Sequence, residues 1–195
     1  DASEYATGQA KGFSGAVQAF VDDCLTRAEC PLRGAREDAY AQLDRLLARV
    51  DADPLPTESR PLTQALLITG LNQGMYSQQL WPAVTRALTE AMSGDGSTML
   101  LLADSYMQRD VDGSYDQLLQ AFFAISCLDS GETRTLKQIE AAAAEMKADY
   151  PLLGDTFGWA GINCLGWPHK DPVPQQKTTA PGAAPILVIG TTNDP

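Results

Sequence analysis

Histidine is all but missing from this sequence: His169 is the only one in 195 residues. A zinc site therefore lacks its usual nitrogen ligands, and any Ser–His–acid set built within the chain would depend on that single residue. Basic charge is also short, with 14 Lys and Arg against 25 Asp and Glu, a net charge of -11. Such a chain repels phosphate backbones and anionic lipid surfaces, which disfavours nucleic acid and membranes as partners. No apolar run approaches the ~18 residues of a membrane span. Neither an initiator Met nor a signal peptide precedes Asp1, as expected of a processed or excised chain.

Motifs are missing as well. "GFSGA" brackets Ser14 with Gly12 and Gly15, but not at the spacing of a nucleophile elbow, and it reads as a helix start. "SGDGS" has no following Lys and no preceding strand, so it is not a phosphate cradle. "RDVDGSYD" puts Gly113 too early for a calcium loop and supplies no late bidentate acid, so it reads as a polar turn capping the next helix. No metal and no cofactor are expected.

What is present is an ordinary globular composition, 44% apolar and 20% charged. Its four cysteines, Cys24, Cys30, Cys127 and Cys164, include no C-x-x-C. An even count without metal spacing predicts two disulfides and an oxidising, extracytoplasmic setting. Three pairings are possible, and Cys24–Cys30 with Cys127–Cys164 is favoured. The first closes a small loop beside Pro31; the second ties a helix end to the aromatic segment around Trp159 and Trp167.

Apolar periodicity predicts seven helices. They fall near Gly12–Ala28, Ala35–Val50, Leu62–Met75, residues 79–92, Met99–Met107, Tyr115–Ile125 and Leu136–Asp149. Residues 1–9 read as a lead-in, and 151–183 as loops with a helical turn around Gly158–Ile162. Then the pattern changes. "APILVIGTTNDP" carries a five-residue apolar run, Pro185–Ile189, closed by Gly190. Such a run reads as a strand buried on both faces, yet no other segment resembles a strand. Its neighbours in the sheet are expected outside this sequence.

The fold class is therefore mainly α, a helical domain emitted between strands of an α/β core. Residues 1–180 form the helical unit, and 181–195 form a linker, one core strand and a turn. Asp194 follows that strand by a short polar turn, at the sheet edge where α/β sites form. An acid after a helical insertion, with Ser before it and His after it, fits the order of α/β-hydrolase triads.

Eight stretches carry a resemblance by their order and spacing: "AFVDDCLTRAECPL", "LLARVDADPLP", "LTQALLITGLNQGMY", "LWPAVTRAL", "LLLADSYMQRDVDGSY", "AFFAISCLD", "CLGWP" and "PILVIGTTNDP". Together they resemble the cap domain and following strand of the actinobacterial serine peptidases related to tripeptidyl aminopeptidase. These are α/β-hydrolases similar also to the proline iminopeptidases. The resemblance implies Asp194 as catalytic acid, secretion or surface attachment, and release of short peptides from a free amino terminus. It also implies a cap that covers the active site and offers acidic groups to the substrate ammonium, for which Asp129 is the candidate, against a local cap or hydrogen bond beside Cys127. Trp81, Trp159, Trp167 and the tyrosines are candidates for the substrate-facing side, although aromatic side chains in a helical domain more often belong to the core. The remainder of the hydrolase core is then the obligatory partner, because nucleophile and catalytic His are expected beyond the two ends. The rivals are the cap of an esterase or lipase on the same fold, and a stand-alone secreted helical binding module.

Overall fold

Apolar side chains recurring every three or four residues give α1 (Ala2–Leu25) a continuous inner stripe. Phe13, Val17, Phe20 and Val21 from that stripe are fully buried at the centre of the core. The computed structural model describes residues 2–130, 134–168 and 179–190.

Helix α1 starts well before Gly12, where the periodicity had placed it. Residues 1–9 are small and polar, but Ala6 and Ala10 lie one turn apart and bury against Met146 of α7 (Leu136–Asp149). Alanine adds little to an apolar moment while letting a neighbouring helix approach. Ser14 consequently sits inside α1 rather than at a helix start. Beyond α1, the Cys24–Cys30 disulfide closes the turn into Leu32.

Helix α2 (Arg36–Ala52) is fixed to α1 by Arg36, whose guanidinium donates to Asp22 at 2.7 and 2.8 Å. At its other end Arg49 donates to the carbonyls of Ala91 and Met92, C-terminal acceptors of α4 (Trp81–Met92). A cation placed there adds a donor to last-turn carbonyls, of which that of Ala91 also accepts from Gly94 N–H, and sits favourably at the negative end of the helix dipole. Thr63 caps α3 (Gln64–Met75) by accepting from Leu66 N–H. Two glycines of α3 admit its neighbours. A Cβ on Gly70 would lie 2.5 Å from the Met99 carbonyl of α5 (Ser97–Tyr106), and one on Gly74 would lie 2.1 Å from Val84 Cγ2 of α4.

After α5 come α6 (Leu118–Ser130), α7, α8 (Gly154–Gly158) and a 3-10 segment, Trp159–Cys164. Thr135 and Gln138 cap α7 reciprocally, the hydroxyl accepting from Gln138 N–H and the amide oxygen from Thr135 N–H. Residues after 151, read as mostly loop, thus hold more helix than expected. Helix α8 lies directly on α7, and Phe157 stacks on Phe13 at 5.2 Å between ring centroids.

Among the described residues there is no sheet, only the isolated bridges Leu55 to Leu62 and Arg109 to Tyr115. No helix among them is long and apolar enough to cross a membrane. The mainly helical architecture agrees with the fold class read from the sequence. Residues 183–190 have no regular secondary structure, and Ile186, Leu187, Val188 and Ile189 are 83, 83, 84 and 85% exposed.

Candidate functional site

The turn before α6 is fixed by charge. Arg60 holds the Asp104 carboxylate with both terminal guanidinium nitrogens, one at 3.1 Å. Arg109 approaches the same carboxylate at 3.8 Å and places its Cζ 5.7 Å from the Tyr115 ring centroid. Gln108, at φ 51°, reverses the chain in the left-handed region, and Asp116 N–H donates to its carbonyl at 3.2 Å. Inside the turn, Asp112 accepts from the backbone and hydroxyl of Ser114 at 2.9 and 2.7 Å. Those hydrogen bonds stabilise the carboxylate and lower the pKa of Asp112. Asp116 then caps α6, accepting from Leu118 N–H at 2.8 Å. "RDVDGSYD" is thus a capping turn, and the helix starts three residues later than the periodicity suggested.

Helix α6 differs from its neighbours in having no polar face to turn outward. Its first ten residues, "LLQAFFAISC", hold Gln120 and Ser126 as their only polar side chains. Its one buried residue with a covalent anchor is Cys127, bonded to Cys164 of the 3-10 segment. That segment is also the principal packing partner of α6. Leu118, Phe122, Ile125 and Asp129 follow at steps of four, three and four, which puts them on one face. Cys127 points to the opposite side, about half a turn away. Leu118 is 60% exposed, Phe122 48% and Ile125 61%. Asp129 is exposed at the end of that row.

Both disulfides are those favoured from the sequence, Cys24–Cys30 and Cys127–Cys164. Asp194 and His169 lie outside the described residues. Trp81 does not line a surface. It is 8% exposed and packs edge-to-face on Phe20 at 5.8 Å, because it opens α4 on the face turned to α1. Trp159 and Trp167 are half-buried, and Trp159 Nε1 donates to Asp155 at 3.2 Å. Tyr76 and Tyr115 are exposed.

Sequence reasoning found α6 but not its significance. The signal was available: a helix apolar all round must be covered by something.

Residues 150–195 match the family of TAP-like proteins, α/β-hydrolases. The chain is 32% identical over 198 residues to the serine protease Hip1 of Mycobacterium tuberculosis, covering 96% of this chain and 38% of that protein. It is also 32% identical to carboxylesterase B of Mycobacterium tuberculosis, over 206 residues, 98% of this chain and 38% of the other. Tripeptidyl aminopeptidase of Streptomyces lividans is 20% identical over 164 residues, 84% of this chain and 30% of the relative. The chain thus spans well under half the length of the curated relatives it matches.

Proposed function

This chain belongs to the TAP-like α/β-hydrolases and is built as their helical cap, and from that premise we propose that it serves an extracytoplasmic serine exopeptidase. The cap gates the active site, and the segment after residue 181 delivers the catalytic acid, Asp194, at the end of a core strand. The hydrolase releases short peptides from substrate amino termini. The observation that carries this reading is the tail. Four consecutive branched or aliphatic side chains, Ile186–Ile189, are exposed to solvent immediately before the turn to Asp194. Burying four such side chains is worth roughly 1.5–3 kcal/mol each, so an apolar run of this kind calls for a covering sheet. It lies in the part of the chain that matches the family.

In the intact hydrolase a serine attacks the peptide carbonyl and a histidine takes its proton. Asp194 holds the imidazole tautomer and stabilises the imidazolium. Serine and histidine come from the portion of the hydrolase that this chain does not span. The cap excludes water and limits what enters. Asp129, with its carboxylate on the outer row of α6, offers a partner for the substrate ammonium. The two disulfides fit an oxidising compartment.

The test is labelling of the native protein with a fluorophosphonate probe, read by intact mass. A labelled species or complex that contains these peptides and exceeds 20.9 kDa is expected. An unlabelled 20.9 kDa protein without a companion chain overturns the reading. Asp194→Asn in the labelled species should lower kcat by about four orders of magnitude. The similarity to carboxylesterase B favours one alternative, an esterase on the same fold. Turnover of a nitrophenyl ester with none of a tripeptidyl anilide would select it.

A further inference from the structure

Helices α1 to α5 all supply buried side chains to the main core, and α6 supplies none. Only Cys127 is buried among the described residues of α6, and its sulfur is committed to Cys164. Leu118, Phe122 and Ile125 are exposed on one side of the helix, with Phe123 and Leu128 exposed to either side of them. Asp129 is the single charged residue among the 13 of α6. A helix that is apolar nearly all round belongs in an interior, and among the described residues the fold builds none around α6. A second apolar segment is equally bare: Ile186, Leu187, Val188 and Ile189 are each more than four-fifths exposed. The two are linked. The Cys127–Cys164 bond ties α6 to the stretch that runs on into that tail, and Cys164 and the tail both lie in residues 150–195, the part matched by the family.

Resting on the reading of this chain as a cap, we infer that α6 is the helix that seats it on the hydrolase core. Its exposed side chains pack on an apolar surface of that core, supplied by residues outside this sequence. The chain spans 38% of Hip1 and 38% of carboxylesterase B, so a hydrolase of that length has ample chain left to provide such a surface. Tail and helix then meet one body. The tail enters its sheet and α6 lies against its outside, with the disulfide holding the two attachments together. Charge and coverage argue against a second copy as the occupant. Two chains of net charge -11 repel each other, and pairing α6 with α6 would leave the tail bare. An anionic bilayer is opposed by the same charge. Contact through α6 also leaves the packing of α1 to α5 undisturbed, since α6 rests on the cap chiefly through the 3-10 segment.

The experiment places the photo-crosslinking residue p-benzoylphenylalanine at Phe122, and separately at Ile125, in the complete hydrolase that carries this chain. Leu101, 69% exposed on α5, is the control position. After irradiation the crosslinked peptides are identified by mass spectrometry. Both α6 positions are expected to crosslink within one molecule to peptides from outside residues 1–195, with a yield several-fold above that at Leu101. Two positions keep the test intact if one variant misfolds, which thermal melting detects. Crosslinks confined to residues 1–195 overturn the inference, because the chain then covers its own helix. A product of twice the mass overturns it in favour of a second copy, and yields at α6 no higher than at Leu101 overturn it as well. Turnover of a tripeptidyl anilide is followed on the same samples. Cleavage without the expected crosslinks overturns this inference alone. A native protein of 20.9 kDa without a companion chain overturns both it and the exopeptidase reading.

Discussion

The same substitution, Gly to Ala, should stabilise one helix of this protein and damage another. Gly15 lies in the interior of α1, and a Cβ added there meets nothing within 4 Å. Alanine is favoured over glycine in a helix by about 0.8–1 kcal/mol, so Gly15→Ala should gain most of that. Gly158 ends α8 with helical dihedrals, φ -62° and ψ -34°, so its backbone suits alanine equally well. Its surroundings do not. A Cβ there would lie 2.4 Å from the Ala143 Cα and 2.9 Å from its Cβ, within the body of α7. The obstacle is backbone, not the end of a flexible side chain, so α8 must move away from α7. Overpacking of this kind typically costs about 1–3 kcal/mol, which outweighs the propensity gain. In a domain of this size, 1 kcal/mol shifts Tm by about 2–4 °C. Thermal unfolding followed by circular dichroism should therefore give Gly15→Ala a rise of about 2–4 °C and Gly158→Ala a fall of similar or larger size. Equal and positive shifts for the two variants would refute the claim that α7 and α8 meet through a glycine contact.

Two further outcomes are expected. Replacing Cys127 and Cys164 by Ala removes a crosslink spanning 37 residues, worth about 4 kcal/mol in the chain-entropy treatment. Because α6 rests chiefly on the segment bearing Cys164, amide exchange should accelerate first in α6 while α3 and α5 keep their protection; unchanged exchange in α6 would show that the disulfide is not its anchor. Glu90 is held below its ordinary value of 4.5 by a hydrogen bond from Thr98 and by Arg86, and Asp95 below 3.8 by the hydroxyl and backbone N–H of Ser97. Lowered carboxyl groups contribute stability that is complete above their unfolded values and lost as pH falls through the native ones. Tm should accordingly drop between pH 5 and pH 3, and Glu90→Gln should lose part of that dependence; a variant with the full acid slope would refute the assignment.

Most helices of the body were legible because leucine and valine repeat at helical spacing against a polar background. The starts of α3 and α7 fall at Thr63 and Thr135, whose side chains cap them. Legibility failed where burial is carried by small side chains. Ala6 and Ala10 extend α1, and Gly154 and Gly158 let a short helix lie on α7, yet none of these residues has enough apolar surface to shape a periodic pattern. Trp81 was ambiguous for the opposite reason. A large aromatic ring with a polar nitrogen suits a binding surface or a core equally, and only the packing on Phe20 decides between them. For α6, spacing gave the helix, but only the exposure of Leu118, Phe122, Phe123, Ile125 and Leu128 shows how little of it the fold covers. Asp194 as the proposed acid was read from strand character and chain order, and both readings concern a proposed sheet whose other strands lie outside this sequence.

The Cys127–Cys164 bond also sets the covalent topology of the molecule. It closes a ring that contains the end of α6, all of α7 and α8, and the 3-10 segment. A single peptide-bond cleavage anywhere inside that ring leaves one molecule, not two, until the disulfide is reduced. For a cap proposed to sit beside a peptidase active site, this means that a nick in the α7–α8 region would not part the helical body from the segment bearing Cys164. The apolar row would stay tethered to the segment that leads into the tail, and the cut would be seen only on a reducing gel.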